Sequence, residues 1–326
     1  MIKRFLAALL IVSLLLGVSG ALAHEPYVVT YAEQEAEDSL AGFVAQYFAE
    51  AVLEITGEGI EVALYFDGEL GDYDDCLADM RKKGEEVAFM RVPIAELAAM
   101  GCEKLSLLSL PGAFADYDQF ARFAESNLVN DLINEPNSKK LGLLGVGFIT
   151  GGYVDTAFRT EAADLTAYQG KTVALDGTPA MEDTFRALGA HPVSRPNDLA
   201  AALRSEQVDA AETTLEAYVN ASLYEEAGHL LQDHHRMDVY LLTISAESWR
   251  LLTNLERRCI LLAAQMTAQY NAQLLQEYEA YALNLLKEKG AVLTEGDRAS
   301  CLAAAKEAVD KAAGREAKLL EQIKAQ

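Results

Sequence analysis

Tyr27-Val-Val-Thr-Tyr31, Ile60-Glu-Val-Ala-Leu-Tyr-Phe66 and Val87-Ala-Phe-Met-Arg-Val92 are three short apolar runs that read as buried strands. Between the first two, Asp38 and Ser39 can cap a helix whose apolar positions Phe43, Tyr47, Val52 and Ile55 recur at helical spacing, before Gly57 and Gly59 end it. Between the second and third, Asp67-Gly68 makes a turn and a helix starts at Tyr73 and stops at Gly84. Pro93 then opens a further helix towards Met100 and Gly101. Strand and helix alternate, which predicts a parallel sheet covered by helices on both faces.

The alternation repeats downstream. Leu141 to Ile149 is apolar and rich in glycine, Thr172-Val-Ala-Leu175 is strand-like, and Met181 to Leu188 and Leu199 to Arg204 read as helices. Val208-Asp-Ala-Ala and Val239-Tyr-Leu-Leu-Thr-Ile244 are again strand-like. From Thr253-Asn-Leu-Glu256, a capping box, the pattern becomes helical until Lys287, Lys289 and Gly290. Ile260, Thr267, Tyr270, Leu274, Tyr278, Tyr281 and Leu285 are expected to form its packed face. Over 30 residues at 1.5 Å each give roughly 50 Å, more than one lobe needs, so the helix is expected to touch both lobes. The expected architecture is α/β and two-lobed, with a long lobe-bridging helix towards the C-terminus.

The chain has 326 residues, 51% hydrophobic and 24% charged, enough for about two cores. Its net charge of −23 argues against nucleic acid and anionic lipid as partners, since both need basic surface. At the N-terminus, Lys3 and Arg4 precede an apolar run from Phe5 to Leu16, followed by Ala21-Leu22-Ala23. This is the layout of a secretory signal, with cleavage expected after Ala23 to leave His24 first. The apolar run is too short to span ~30 Å of hydrocarbon. The first cysteine is Cys76, so none follows the signal to take a lipid. The expectation is a periplasmic protein without a membrane anchor.

Little points to catalysis. G-x-S-x-G, H-E-x-x-H and P-loop patterns are missing, and the glycines from Gly142 to Gly152 do not have dinucleotide-binding spacing. Cys76, Cys102, Cys259 and Cys301 are widely spaced and form no C-x-x-C; three disulfide pairings or four free thiols fit equally. His234 and His235 are adjacent and would diverge rather than share a metal. No enzyme activity, cofactor or metal is expected.

Four short motifs follow one another in a fixed order. They are Phe66-Asp-Gly68-Glu-Leu70-Gly71, Leu110-Pro-Gly-Ala-Phe114-Ala-Asp116-Tyr117, Leu188-Gly189-Ala190-His-Pro192 leading to Val208-Asp209-Ala-Ala-Glu212, and His235 before the last strand. Order and spacing resemble the solute receptors of tripartite ATP-independent periplasmic (TRAP) transporters, the DctP family. The resemblance runs from about Tyr27 to Gly290. It implies a two-lobed receptor that closes on a small organic solute and hands it to a TRAP membrane permease. It divides the chain into a signal peptide (1–23), lobe I (24–147 plus about 239–255) and lobe II with the C-terminal helices (148–238 plus about 256–326). A sensor or a protein-contact scaffold on the same fold is the alternative.

Carried over by position, the ligand residues implied by the resemblance are Gln34, Tyr73, Arg91, Tyr153, Ala174, Asp176, Glu212, Thr213, His235 and Arg236. Two departures bear on the ligand. Ala174 and Tyr153 stand where the family usually has arginines that grip a carboxylate, and neither can replace a planar guanidinium fork. Either Arg91 or Arg236 supplies the lost grip and the solute is an organic acid, or the solute is neutral or amphipathic and rests on Tyr73, Tyr153 and apolar groups near Met90, Phe148 and Met237. The two missing arginines, with Asp176 adding negative charge, favour the second. Arg91 is expected at the carboxyl end of its strand, exposed enough that its removal leaves folding nearly unchanged.

Overall fold

The structure, a computed structural model, describes residues 26–82, 84, 86–176 and 178–326; the expected signal peptide lies outside the described residues. Nine strands form one continuous sheet in the order β2-β1-β3-β8-β4-β7-β5-β6, with β9 beside β8. They are β1 (Tyr27–Ala32), β2 (Ile60–Tyr65), β3 (Phe89–Pro93), β4 (Leu143–Phe158), β5 (Thr172–Leu175), β6 (His191–Ser194), β7 (Ala210–Thr214), β8 (His229–Ser245) and β9 (Val292–Glu295). β1 pairs in parallel with β2 and β3, and β5 in parallel with β6 and β7. Each half of the sheet therefore has the parallel core that the alternation predicts.

The halves are joined by two long strands of which the apolar pattern marks only a part. β4 and β8 have 16 and 17 residues and pair antiparallel from Leu143↔Ser245 to Phe158↔His229. The C-terminal half of β8 pairs with β3, and the C-terminal end of β4 pairs with β7, so these two strands carry the sheet across. Their register slips at Gly145/Gly147, Thr150/Gly152 and Val154/Thr156. Gly152, at φ +97°, occupies the left-handed region at the middle slip, where a side chain would strain the backbone.

Helices cover both faces of both halves, leaving four hydrophobic clusters, two per half. The helices that position the rest are α1 (Leu40–Ile55), α2 (Tyr73–Lys82), α3 (Tyr117–Glu125), α4 (Pro179–Ala187), α5 (Leu199–Arg204), α6 (Leu215–Asn220), α7 (Asn254–Glu288) and α8 (Arg298–Ala313). Ser39 caps α1 by accepting from the Gly42 amide, but the packed face is Val44, Phe48, Ala51 and Val52, with Phe43 left exposed. The expected capping box opens α7: the Glu256 amide donates to Thr253, and the Thr253 amide to the Glu256 carboxylate.

With 35 residues, α7 packs against α1 and α3 on one half and against α6 and β9 on the other. Its buried stripe differs from the one expected. It consists mainly of small residues, Ala263, Ala264, Thr267, Ala268, Asn271 and Ala272, while Tyr281 is exposed. The reason lies on β4: a Cβ on Gly147 would sit 2.7 Å from the Ala264 Cβ. The glycine run thus lets the helix lie close on the strand. α8 packs on α4 and contributes Ala305, Val309 and Ala313 to a first-half cluster. At its start, Arg298 donates to the carbonyls of Phe114, Ala115 and His234, at 2.5, 2.7 and 2.9 Å. All four cysteines are free thiols.

Because Gly147 sits beneath Ala264, Gly147→Ala is expected to cost about 1–3 kcal/mol, the usual penalty of overpacking. Urea unfolding reads it as a lower midpoint at unchanged slope.

Candidate functional site

The parallel strands of both halves end facing a cleft of about 400 Å³. Open α/β sheets bind ligands at such carboxyl ends. Glu35, Arg91 and Tyr240 border it from the first half; Asp176, Arg195, Thr213, Thr214, Glu216 and Arg236 from the second; Gly151, Val154 and Asp238 lie on the connecting strands. Of the residues expected from sequence, Arg91, Asp176, Thr213 and Arg236 border this cleft.

Each of its arginines comes with a carboxylate. Arg91 Nε donates to both Glu33 oxygens, at 3.0 and 2.9 Å, and Glu35 lies 3.8 Å from its Nη2. Its guanidinium also lies 4.6 Å over the Tyr240 ring. Burial works against the charge on Arg91, but the Glu33 carboxylate holds its pKa well above the usual value. Arg195 Nη1 donates to the Glu212 carbonyl at 2.8 Å and lies 3.3 Å from Asp176 Oδ2. Arg236 is gripped by Glu212, Nε to Oε1 at 3.1 Å and Nη2 to Oε2 at 3.4 Å.

Glu212 begins a buried relay. His235 Nε2 bonds Glu212 Oε1 at 2.7 Å and its Nδ1 bonds Asp233 Oδ1 at 2.7 Å. Tyr168 donates to Asp233 Oδ2 or Thr156 Oγ1, at 2.8 and 2.7 Å. Burial raises the cost of charge on Glu212, yet Arg236 and His235 pull its pKa down to about 2. Burial likewise opposes charge on His235, but Asp233 and Glu212 hold its pKa up at about 9. His235 is therefore an imidazolium at neutral pH and donates from both nitrogens. His235 and Glu212 stand behind the cleft wall, 1% and 0% exposed, and act on it through Arg236.

The other expected residues lie elsewhere. Ala174 is fully buried in a second-half core on strand β5 and does not border the cleft. Tyr153 donates to the Ala115 carbonyl at 2.9 Å and stacks on His234 at 4.3 Å, beneath Arg298. Tyr73 packs against a first-half core with its hydroxyl buried and unbonded. Gln34 donates to the Gly71 carbonyl at 3.4 Å and to Cys76 Sγ at 3.8 Å. Met90, Phe148 and Met237 are core residues, each 1% exposed.

The cleft is thus charged where an aromatic and apolar one was expected. The tyrosines and methionines turned inward because they fill cores, and ionic groups that no core accepts lie along the cleft. Arg195 was missed. It directly follows β6 and precedes Pro196, the same strand-end position that marked out Arg91, but β6 is a four-residue edge strand with a proline in it and left no pattern. Among the described residues there is no cluster of His, Cys, Asp and Glu that could hold a metal ion.

Known proteins share this architecture. The model of the family described as DctP, bacterial extracellular solute-binding protein, family 7, matches residues 31–316. The C4-dicarboxylate-binding periplasmic protein DctP of Shewanella loihica is 24% identical over 251 residues, 76% of this chain and 73% of that protein. The C4-dicarboxylate-binding protein DctB of Bacillus subtilis is 23% identical over 267 residues, 81% and 75% of the two chains. A TRAP periplasmic solute-binding protein from Ochrobactrum anthropi superposes with a TM-score of 0.83 at 23% identity, covering 92% of this chain and 95% of that one. Another, from Xanthobacter autotrophicus with bound β-D-galacturonate, gives 0.79 at 21% identity, covering 91% and 99%.

The buried pairs generate two expectations. Arg91→Ala leaves Glu33, 1% exposed, without its cation, so it should cost about 3 kcal/mol rather than nearly nothing, and Glu33→Gln in the same chain should recover part of it in urea unfolding. A histidine with a folded pKa above its unfolded value of about 6.5 adds stability that is full below about 6.5 and is lost as pH rises through about 9. Unfolding free energies between pH 6 and 9.5 should therefore fall in the native protein, with a flatter profile in His235→Gln.

Proposed function

The chain belongs to the bacterial extracellular solute-binding proteins of family 7, and from that premise we propose that it captures a small polar organic solute in the charged cleft and delivers it to a TRAP-type membrane permease. The family's members are extracytoplasmic receptors, and no described helix is long and apolar enough to cross a membrane. The observation that carries the ligand reading is the convergence of Arg91, Arg195 and Arg236 on one cleft between the two halves. Arg195 and Arg236 stand in for the arginines missing at positions 174 and 153. They reach the cleft from β6 and β8 rather than from β5 and β4. The solute therefore carries an acidic group, as the galacturonate bound to the Xanthobacter autotrophicus protein does.

In this reading the protein binds without catalysis, in keeping with a family of solute-binding proteins. Lobe I comprises residues 24–147 with about 239–255, lobe II comprises 148–238 with about 256–326, and they close by bending at β4 and β8. The leader of residues 1–23 directs export and is removed after Ala23. Glu212 and His235 hold Arg236 in place, while Thr213 faces the solute.

Mass spectrometry of small molecules released by denaturing the purified protein tests the reading directly. Arg195→Ala should then weaken binding of the identified solute by about 1.5–3 kcal/mol, the loss of a charged hydrogen bond, or about 10- to 150-fold. Unchanged affinity would remove Arg195 from the site. Sequencing of the periplasmic protein should begin at His24.

A further inference from the structure

The charges around the cleft do not balance for a simple anion. Arg91, Arg195 and Arg236 face Glu35, Asp176, Glu216 and Asp238 across it, and Glu33 and Glu212 stand directly behind two of the arginines. Three guanidiniums thus meet six carboxylates, and further back His235 and Asp233 offset one another. A solute carrying only negative charge would enter a field that is already negative.

Two atoms are left over where the strands cross between halves. Arg236 spends Nε and Nη2 on Glu212, and its Nη1 makes no hydrogen bond among the described residues. Asp238 accepts the Tyr240 hydroxyl on Oδ2 at 2.7 Å, leaving Oδ1 similarly unused. Nη1 and Oδ1 are 3.8 Å apart, too far for a hydrogen bond, although both residues border the cleft. Arg236 is 7% exposed, yet its Nη1 is not among the side-chain atoms buried without a partner, so the spare donor is the part of the guanidinium that opens to the cleft. Glu216 adds to the negative side. One oxygen accepts the Leu40 amide across the cleft at 3.0 Å, and burial pushes the carboxyl's pKa up although the Leu40 amide and Arg91 pull it down, so its charge is costly where it stands.

A donor and an acceptor side by side match a carboxylate and an ammonium on neighbouring atoms. We propose that the solute is a zwitterion of the α-amino-acid class, its carboxylate on Arg236 and its ammonium on Asp238. This rests on the cleft being the receptor's ligand site and narrows the ligand beyond an organic acid. The remaining carboxylates, Glu35 and Glu216, would then face the ammonium side, and Arg195 would add a second donor to the carboxylate.

Calorimetry on the full mature protein tests it, with proteinogenic L-amino acids, the 2-hydroxy acid matched to each, and D-glucuronate and D-galacturonate. At least one amino acid should bind ten or more times tighter than its hydroxy acid. Asp238→Asn keeps the acceptor for Tyr240 and should bring that ratio close to one. Hydroxy acids or uronates binding as well as or better than amino acids would overturn the zwitterion while leaving the receptor reading intact. So would a ratio unchanged in Asp238→Asn. No binding across the panel, with an amine-free solute released on denaturation, also overturns the zwitterion alone; no binding and no released solute overturns both readings. If Asp238→Asn folds poorly by circular dichroism, the native ratio alone decides.

Discussion

The antiparallel pairing of β4 with β8 is the constraint on which the rest depends. Each is about three times the usual strand length, and together they run through both halves, so neither half has its own closed sheet. Backbone hydrogen bonds hold the pair where the register is regular. Where it slips, at Thr150/Gly152 and Val154/Thr156, the ladder is interrupted and the strands can bend. The cleft opens beside these irregularities, with Gly151, Val154, Arg236 and Asp238 all on its border. The fold thus places its interrupted ladder next to the cleft.

The second feature is how the cleft's cations are kept. A guanidinium partly out of water needs compensation, and a lone buried charge costs several kcal/mol. Glu33 supplies it for Arg91 and Glu212 for Arg236, while Arg195 leans on Asp176 and a carbonyl. In return each guanidinium is held in a fixed orientation at the cleft. The relay behind Glu212 extends this. His235 is held as an imidazolium between Glu212 and Asp233, and the Tyr168 hydroxyl bonds Asp233, so every member of the chain has a partner.

α7 and α8 tie the halves together differently. α7 meets β4 through alanine against glycine, a close approach without long side chains. Arg298, at the start of α8, holds the carbonyls of Phe114 and Ala115 from one half and of His234 from the other. Tyr153 belongs to this region, stacked on His234 and tilted against Tyr117 at 4.9 Å. Tyr153, expected to face the solute, is here part of the tie between halves.

Alternating apolar runs and helix caps are local properties of the chain, and the elements built on them were determined by the sequence alone. β1, β2 and β3, the Thr253 capping box, and the four ordered motifs that place the chain in its family could all be read directly. So could Arg91 as a basic residue towards the end of its strand, while Arg236 was singled out only by the family resemblance and proves to lie in the middle of β8. Tertiary structure decided what depends on partners distant in the chain. The packed faces of α1 and α7 lie beside the stripes read from the sequence: α1 buries Phe48 and leaves Phe43 exposed, and α7 sets Ala264 against Gly147, because hydrophobicity along the chain carries no information about what lies opposite. β4 and β8 extend past their apolar cores into Asp155, His234 and Asp238, polar residues held in strand by neighbours distant in the chain, Asp238 opposite Gly152 of β4 and Asp155 opposite Thr213 of β7. The character of the cleft was decided in the same way. Tyr73, Tyr153 and Ala174 turn towards cores or the tie between halves, and Arg195, marked by no motif, comes to the cleft because β6 sits beside β5 in the assembled sheet.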